Sequence, residues 1–124
     1  MKYKLTIAIV IVVLLLASGI VEEIFVRKTF ESFGEKLEEI LDSPDETYRL
    51  EDVVATHLWW QKRHRYMELF LPHIQLNEIE TTYGELIGAV EAEDYDSANA
   101  LLNRIYATTL ALKEMYGFRI GNIL

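Results

Sequence analysis

The chain has no cysteine, only two prolines and only six glycines, and these shortages limit what it can be. Without cysteine it forms no disulfide, carries no lipid on a thiol and has no thiol nucleophile. Its glycines form no phosphate-binding loop, and no serine lies in the sharp turn that a serine hydrolase uses for its nucleophile. We therefore expect a protein that is not an enzyme and that needs no cofactor.

Positive charge is also scarce. The chain has 12 lysines and arginines against 20 aspartates and glutamates, which gives a net charge of −8. Residues 27–124 hold ten of the basic and eighteen of the acidic side chains, so the whole net charge belongs to this part. An acidic surface repels nucleic acid and anionic lipid headgroups. We expect no nucleic-acid partner.

One long apolar stretch lies near the start of the chain. Leu5 to Val21 carry no charge, and Lys2 and Lys4 precede them. A helix of about 17–25 apolar residues crosses a bilayer, so the stretch suffices for a membrane anchor. A signal peptide cleaved after Ala17-Ser18-Gly19 is the alternative. The run exceeds the usual length of a signal core, about 7–15 residues, and this favours an anchor that is retained.

The charges that flank the apolar stretch do not decide its orientation. Lys2 and Lys4 on one side are matched by Arg27 and Lys28 on the other. A long following domain is translocated largely regardless of its flanking charge. We therefore expect a single-pass bacterial cell-membrane protein with a cytoplasmic N-terminus. Residues 1–26 form the basic start and the anchor, and residues 27–124 form an extracytoplasmic domain.

Apolar residues recur at helical spacing throughout this domain and predict an all-α fold. The first stripe directly follows the anchor, so the membrane helix is expected to continue into the domain. An irregular antiparallel bundle of about four helices is the predicted architecture. The first stripe consists of Val26, Phe30, Phe33, Leu37 and Ile40, the third of Ile79, Thr82, Tyr83, Leu86, Ile87 and Val90, and the fourth of Ala98, Leu101, Leu102, Ile105, Thr109, Leu112 and Tyr116.

Capping signals predict where the helices begin and end. Ser43-Pro44-Asp45-Glu46 predicts the start of a helix over about 44–70. Asn77, followed by Glu80 at the same spacing, predicts the start of the third helix. Asp94 predicts the start of the fourth, and Gly117 its end.

The second predicted helix has two apolar faces. One is mainly aliphatic, with Leu50, Val53, Val54, Leu58, Trp60, Met67 and Leu71, and the other holds Tyr48, Trp59, Tyr66 and Phe70. A central helix covered on both sides explains this pattern. The alternative is a partner surface formed by Trp59, Arg63, Tyr66 and Phe70, with Arg63 stacked on Trp59, because aromatic residues are enriched at interface centres.

Three further patterns have a functional and a structural interpretation. His57 and His64 with Glu68, and His73 beyond them, match no metal-ligand signature, so we expect half-buried histidines bonded within the bundle and no metal. The acidic run at residues 91–96 lacks the glycine and glutamate of a calcium loop and predicts a capped turn. Gly84 and Gly88, spaced as in membrane helix dimers, predict a close contact within the bundle.

The centre of the chain resembles a known family. Phe70, His73, Leu76, Ile79 and Glu80 match the pattern F-x-x-H-x-x-L-x-x-I-E of the bacterial family catalogued as domain of unknown function 4363. The likeness extends to the basic and apolar start, the tryptophans and the closing Asn122-Ile123-Leu124. It implies a membrane-tethered helical domain from spore-forming Gram-positive bacteria, without known activity, whose members are often encoded beside small membrane proteins. His73 is the position mapped onto the motif, and Pro72 replaces a residue that is commonly polar there.

Together these observations predict an interaction module. We expect a scaffold or accessory subunit that binds another membrane or envelope protein. The alternative is a carrier or sensor that binds a small molecule or a cation between its helices. A pocket between the helices would favour the carrier, and an exposed aromatic surface would favour the partner.

Overall fold

The computed structural model describes residues 2–43, 47–69, 71 and 73–123, with side chains described as far as residue 115. Within these residues the chain forms four helices and no strand, as the sequence predicts. The helices are α1, Lys2–Leu41; α2, Leu50–Met67; α3, His73–Glu91; and α4, Tyr95–Ile123.

The helix α1 combines the apolar stretch and the first helix of the bundle without a break. The side chains from Lys2 to Val21 are exposed, and this half is long and apolar enough to cross a membrane. In the second half the predicted stripe is buried in full: Val26, Phe30, Phe33, Leu37 and Ile40 are at most 5% exposed. The predicted continuity of the apolar helix with the bundle is confirmed.

The four helices form an antiparallel bundle with one shared core. α1 packs against α2 and α4, and α3 packs against the same two helices. Glu38 accepts a hydrogen bond from Tyr106. Glu31, earlier in α1, pairs with Lys113, later in α4, so α4 runs antiparallel to α1. Trp60 is fully buried in this core, and its ring stacks on Phe33 at 4.6 Å between centroids.

The predicted start of the second helix is wrong. α2 begins at Leu50, about six residues later than the capping signal indicates. The last three residues of that signal, 44–46, lie outside the described residues. Tyr48 explains the delay because it is only 3% exposed and its ring meets Tyr95 edge-on at 6.2 Å. Its hydroxyl also accepts a hydrogen bond from Asn99. This docking keeps the segment before Leu50 outside the helix, since tertiary contacts outweigh local propensity.

The predicted start of the third helix is also wrong. α3 begins at His73, so Asn77 lies inside the helix instead of capping it. The reason is that the buried stripe extends one turn further back than predicted, to Leu76, which is fully buried. The rest of the stripe agrees with the prediction, with Ile87 partly buried at its edge.

The turn between α3 and α4 is the capped turn that the sequence predicts. Asp94 precedes α4, and its side-chain oxygen accepts a hydrogen bond from the backbone of Ser97 at 3.3 Å. Glu93 has a positive φ of 58°, and the amides of Glu93 and Asp94 donate to the carbonyls of Val90 and Ala89. This is the pattern of a Schellman helix end.

Gly117 does not end α4, contrary to the prediction. The helix continues to Ile123, and no proline follows Gly117 to stop it. A glycine inside a helix costs only about 1 kcal/mol, which the neighbouring helical turns offset. By the pairing of α4 with α1, the backbone of these last turns reaches the level at which α1 leaves the bundle.

Candidate interaction surface

The predicted aromatic surface begins at Trp59, which the neighbouring residues partly cover. Its ring stacks on Phe33 of α1 with 6.2 Å between centroids. The Arg63 guanidinium lies 4.0 Å from the ring centroid, and the Lys36 ammonium lies 5.3 Å from it. Arg63 also donates a hydrogen bond to the Trp59 carbonyl at 3.2 Å. Trp59 thus belongs to the edge of the core more than to an open surface.

Tyr66 lies further along the same helix and is more accessible. Its side chain is 57% exposed, and its ring meets Phe25 of α1 edge-on at 6.3 Å. Phe70, the last residue predicted for this surface, lies outside the described residues. The predicted surface is therefore divided: Trp59 packs onto α1 and is covered by Arg63, whereas Tyr66 touches α1 only at Phe25 and remains largely exposed at the base of the bundle.

Tyr66 forms one wall of an apolar cleft that the sequence did not indicate. The cleft has a volume of about 560 Å³ and lies between α1 and the end of α2. The lining of the cleft includes Leu14, Ala17, Ser18, Val21, Tyr66 and Leu69. From the sequence, Ala17 and Ser18 indicate only a possible cleavage site, although small residues in an apolar helix also leave room beside it.

A second cleft lies on the same side of the bundle, further from the apolar half of α1. It has a volume of about 490 Å³, and Trp59 and Arg63 contribute to its lining. Two lysines and two glutamates of α1 line the remainder, together with Phe25, Thr29 and Ser32. Its mixed charge does not select an anion or a cation.

The histidines lie on the helices in three different surroundings. His57 is partly buried, shares a contact of 3.0 Å with Glu80 and stacks on Tyr83 at 4.6 Å. His64 approaches Glu68 at 3.5 Å, while its Nε2 is buried without a hydrogen-bond partner. His73 is exposed at the first residue of α3. Among the described residues no three histidine or carboxylate side chains come close enough to hold a metal ion.

Tyr83, whose ring stacks on His57, belongs to a buried hydrogen-bond network. Tyr83 is fully buried, and its hydroxyl donates a hydrogen bond of 2.6 Å to the Val53 carbonyl. Burial raises the pKa of Tyr83 above its ordinary value, and a hydrogen bond with Thr56 opposes this effect. The network joins α2 to α3 and leaves the ring of Tyr83 beside Phe33.

Gly84 and Gly88 do not make the predicted contact within the bundle. Both are exposed, and a side chain placed at either one would meet no atom within 4 Å. They lie on the side of α3 that faces away from the core, opposite Tyr83 and Leu86. Among the glycines whose surroundings are described, Gly34 of α1 approaches another helix, since a Cβ added there would lie 3.8 Å from the ring of Tyr106.

Two predicted members of the aliphatic face of α2 are also exposed. Leu58 is 54% exposed and Leu50 is 39% exposed, whereas Val53, Trp60 and Met67 are fully buried. The buried face of α2 is therefore narrower than predicted. Leu58 is exposed on the surface of α2 and does not line the cleft beside Tyr66.

Comparison with known proteins gives no relative: no family model, no curated protein and no solved structure matches the chain. The resemblance to domain of unknown function 4363 stays a prediction.

Proposed function

We propose that the protein is a membrane-anchored interaction module that binds a transmembrane helix of another membrane protein. The partner helix occupies the apolar cleft between α1 and the base of α2. In this proposal α1 crosses the cell membrane with a cytoplasmic N-terminus, and the bundle lies outside. The protein acts as an accessory subunit and has no catalytic role.

The depth of the cleft is the observation that supports this function. Leu14, Ala17, Ser18 and Val21 belong to the apolar half of α1, the half that is long enough to cross a membrane. A cleft at this depth faces lipid and other membrane helices, not water. Its occupant must therefore be apolar.

The shape of the cleft favours a helix as the occupant. Ala17 and Ser18, which have small side chains, line it between Leu14 and Val21. Small residues let two membrane helices approach closely, and close packing is the main attraction between helices in lipid. Tyr66 adds an aromatic side chain at the rim, a residue type that often dominates the energy of an interface.

The carrier alternative has less support. A carrier would need a cavity between the helices. The described interior is filled there by Phe33, Trp60 and Tyr83, which are all at most 1% exposed. The described clefts lie at the surface of the bundle.

Site-specific photocrosslinking in native membranes tests the proposed function. A photoreactive phenylalanine analogue replaces Tyr66 in the full-length protein, and the matched control carries it at Leu58, which is equally exposed on the same helix. We expect one membrane protein to be crosslinked from position 66 through a transmembrane segment, and not from position 58. Ala17→Leu, which fills the floor of the cleft, should abolish this crosslink.

Two results would contradict the proposed function. Crosslinks from position 66 to lipid alone would identify the cleft as a lipid-facing surface. A protein crosslink that Ala17→Leu leaves unchanged would place the partner elsewhere on the bundle. The thermal midpoint of Ala17→Leu should equal that of the unmodified protein, because Ala17 is exposed.

A further inference from the structure

We propose that the turn between α2 and α3 is a second membrane contact, in which Leu69 and Ile74 enter the outer boundary of the bilayer. The proposal rests on insertion of α1 in the membrane, and it does not depend on a partner protein. It assigns a role to two of the most exposed apolar side chains outside the apolar half of α1.

The packing of α2 on α1 places the turn beside the apolar half of α1. Trp59 stacks on Phe33, and Tyr66, two turns further along α2, meets Phe25, two turns back along α1. The same antiparallel register carries the end of α2 past Glu22. Leu69 accordingly lines the cleft together with Leu14 and Val21.

The length of the apolar stretch sets the depth of this turn. Leu5 to Val21 measure about 25 Å along a helix, and the hydrocarbon core of a bilayer is about 30 Å thick. If the core is centred on Val13, the middle of the stretch, its outer boundary lies near Glu23. Leu69, which packs beside residues 14–22, then lies at the level of the acyl chains.

The exposure of the turn fits this position. Leu69 is 75% exposed and Ile74, in the first turn of α3, is 81% exposed. Both are aliphatic, and they lie at the two ends of the connection between α2 and α3, at the base of the bundle. In water their exposure would be unfavourable, whereas at the membrane boundary lipid would cover both side chains.

The net charge of the bundle differs between its two ends in a way that fits this position. The described segments near the apolar half of α1 contain six basic and six acidic side chains. The described segments at the far end contain three basic and twelve acidic side chains. The expected repulsion of anionic headgroups therefore applies to the far end. The near segments are 22–31, 62–68, 73–79 and 108–115, and the far segments are 35–42, 47–57 and 80–104.

Two basic side chains lie directly above the proposed contact. Lys62 and Arg65 are exposed on the last two turns of α2, and neither forms an ion pair with another described residue. Arg65 lies one turn above Leu69, at the level expected for lipid phosphates. Long basic side chains with an apolar stem suit this boundary.

The absence of cysteine allows a direct test of the depth. Single cysteines are introduced in place of Leu69, Ile74, Val12 and Glu85, and an environment-sensitive fluorophore is attached to each. Val12 lies within the apolar half of α1, and Glu85 is exposed on α3 at the far end of the bundle. The full-length proteins are reconstituted in phosphatidylcholine vesicles that contain nitroxide-labelled lipids.

We expect three classes of signal. Nitroxides deep in the acyl chains should quench the label at position 12, and nitroxides near the headgroups should quench the labels at positions 69 and 74. The label at position 85 should respond to a water-soluble quencher only. All four substituted side chains are exposed, so the circular dichroism spectra and thermal midpoints should be unchanged.

The label at position 12 separates failure of the anchor from failure of the proposal. If position 12 is quenched and positions 69 and 74 behave like position 85, the turn does not touch lipid and the proposal is overturned. If position 12 itself is open to the water-soluble quencher, α1 does not insert, and the proposal is overturned together with its premise. Ile74→Asp should shift the label at position 69 towards water, and Leu69→Asp should do the same for the label at position 74; these shifts would support the proposal further.

Discussion

The two halves of α1 use apolar side chains in opposite ways. From Leu5 to Val21 the helix is apolar on every side and every side chain is exposed. From Glu22 to Leu41 it buries one stripe and turns most of its charged residues outward. The difference lies in the spacing of the apolar residues. A continuous apolar surface needs an apolar solvent around it, whereas a stripe needs only neighbouring helices.

The strongest test of this comparison makes the same substitution in both halves. Leu37 is fully buried, while Leu15 is 67% exposed. Leu37→Ala should lower the free energy of unfolding by about 2–5 kcal/mol, the usual cost of truncating a buried leucine. Leu15→Ala should leave the stability of the bundle unchanged, because no bundle helix contacts this position. Chemical unfolding of the full-length proteins in detergent micelles measures both.

Equal losses in the two variants would contradict the division of α1 into two halves. They would mean that the apolar half also packs within the bundle in detergent. Leu102→Ala in α4 serves as a second buried control, because Leu102 is also fully buried.

The second test concerns the polar network beside the bundle half of α1. Tyr83→Phe removes the hydroxyl that donates to the Val53 carbonyl and keeps the ring beside Phe33. We expect the free energy of unfolding to fall by about 1 kcal/mol, the net contribution of a typical hydrogen bond. Tyr66→Phe, at an exposed tyrosine on α2, should cost nothing measurable.

Alkaline pH gives the same network a different signature. Burial raises the pKa of Tyr83 above its ordinary value of 10.0, so the folded protein keeps this phenol neutral where the unfolded chain ionises it. The stability from Tyr83 is therefore fully present below pH 10 and is lost as the pH rises above it. As the pH is raised from neutral, the free energy of unfolding should fall more steeply for the unmodified protein than for Tyr83→Phe. Parallel curves would mean that Tyr83 ionises freely in the fold.

The helical fold and most of its core could be predicted from the sequence because apolar spacing follows burial. The stripe from Val26 to Ile40 and the stripe around Tyr83 are both buried nearly as predicted. Helix starts were less predictable. Tyr48 packs on Tyr95 just before α2 begins at Leu50, and Leu76 extends α3 backwards by one buried turn. Both effects arise from contacts between residues that are distant in the sequence.

The candidate cleft could be predicted only in part. Tyr66 was identified as a surface residue, but Trp59 was assigned to the same surface although it packs on Phe33. Leu69 was not identified, because its importance depends on the register between α2 and α1 and not on its neighbours in sequence. The prediction for Gly84 and Gly88 fails in the opposite way. Their spacing indicates a contact, but the orientation of α3 does not allow one.

The smallest expected effect lies at the far end of the bundle, in the turn between α3 and α4. Glu93 occupies the left-handed position of the turn after α3, with φ 58°. This conformation costs a residue with a side chain about 1–2 kcal/mol, and glycine avoids the cost. Glycine also makes the unfolded chain more flexible, which offsets part of the gain.

Glu93→Gly should therefore raise the free energy of unfolding by about 0.5–1 kcal/mol. The matched control is Glu91→Gly, which changes the same residue type two positions earlier, at the last residue of α3. Glu91 is exposed like Glu93 but lies within the helix, so glycine should destabilise there by about 0.5–1 kcal/mol. Both substitutions remove one negative charge from the acidic far end, so a purely electrostatic effect would shift both variants in the same direction. Thermal unfolding with opposite shifts would assign the effect to the backbone conformation of Glu93, and shifts of equal sign would assign it to the charge.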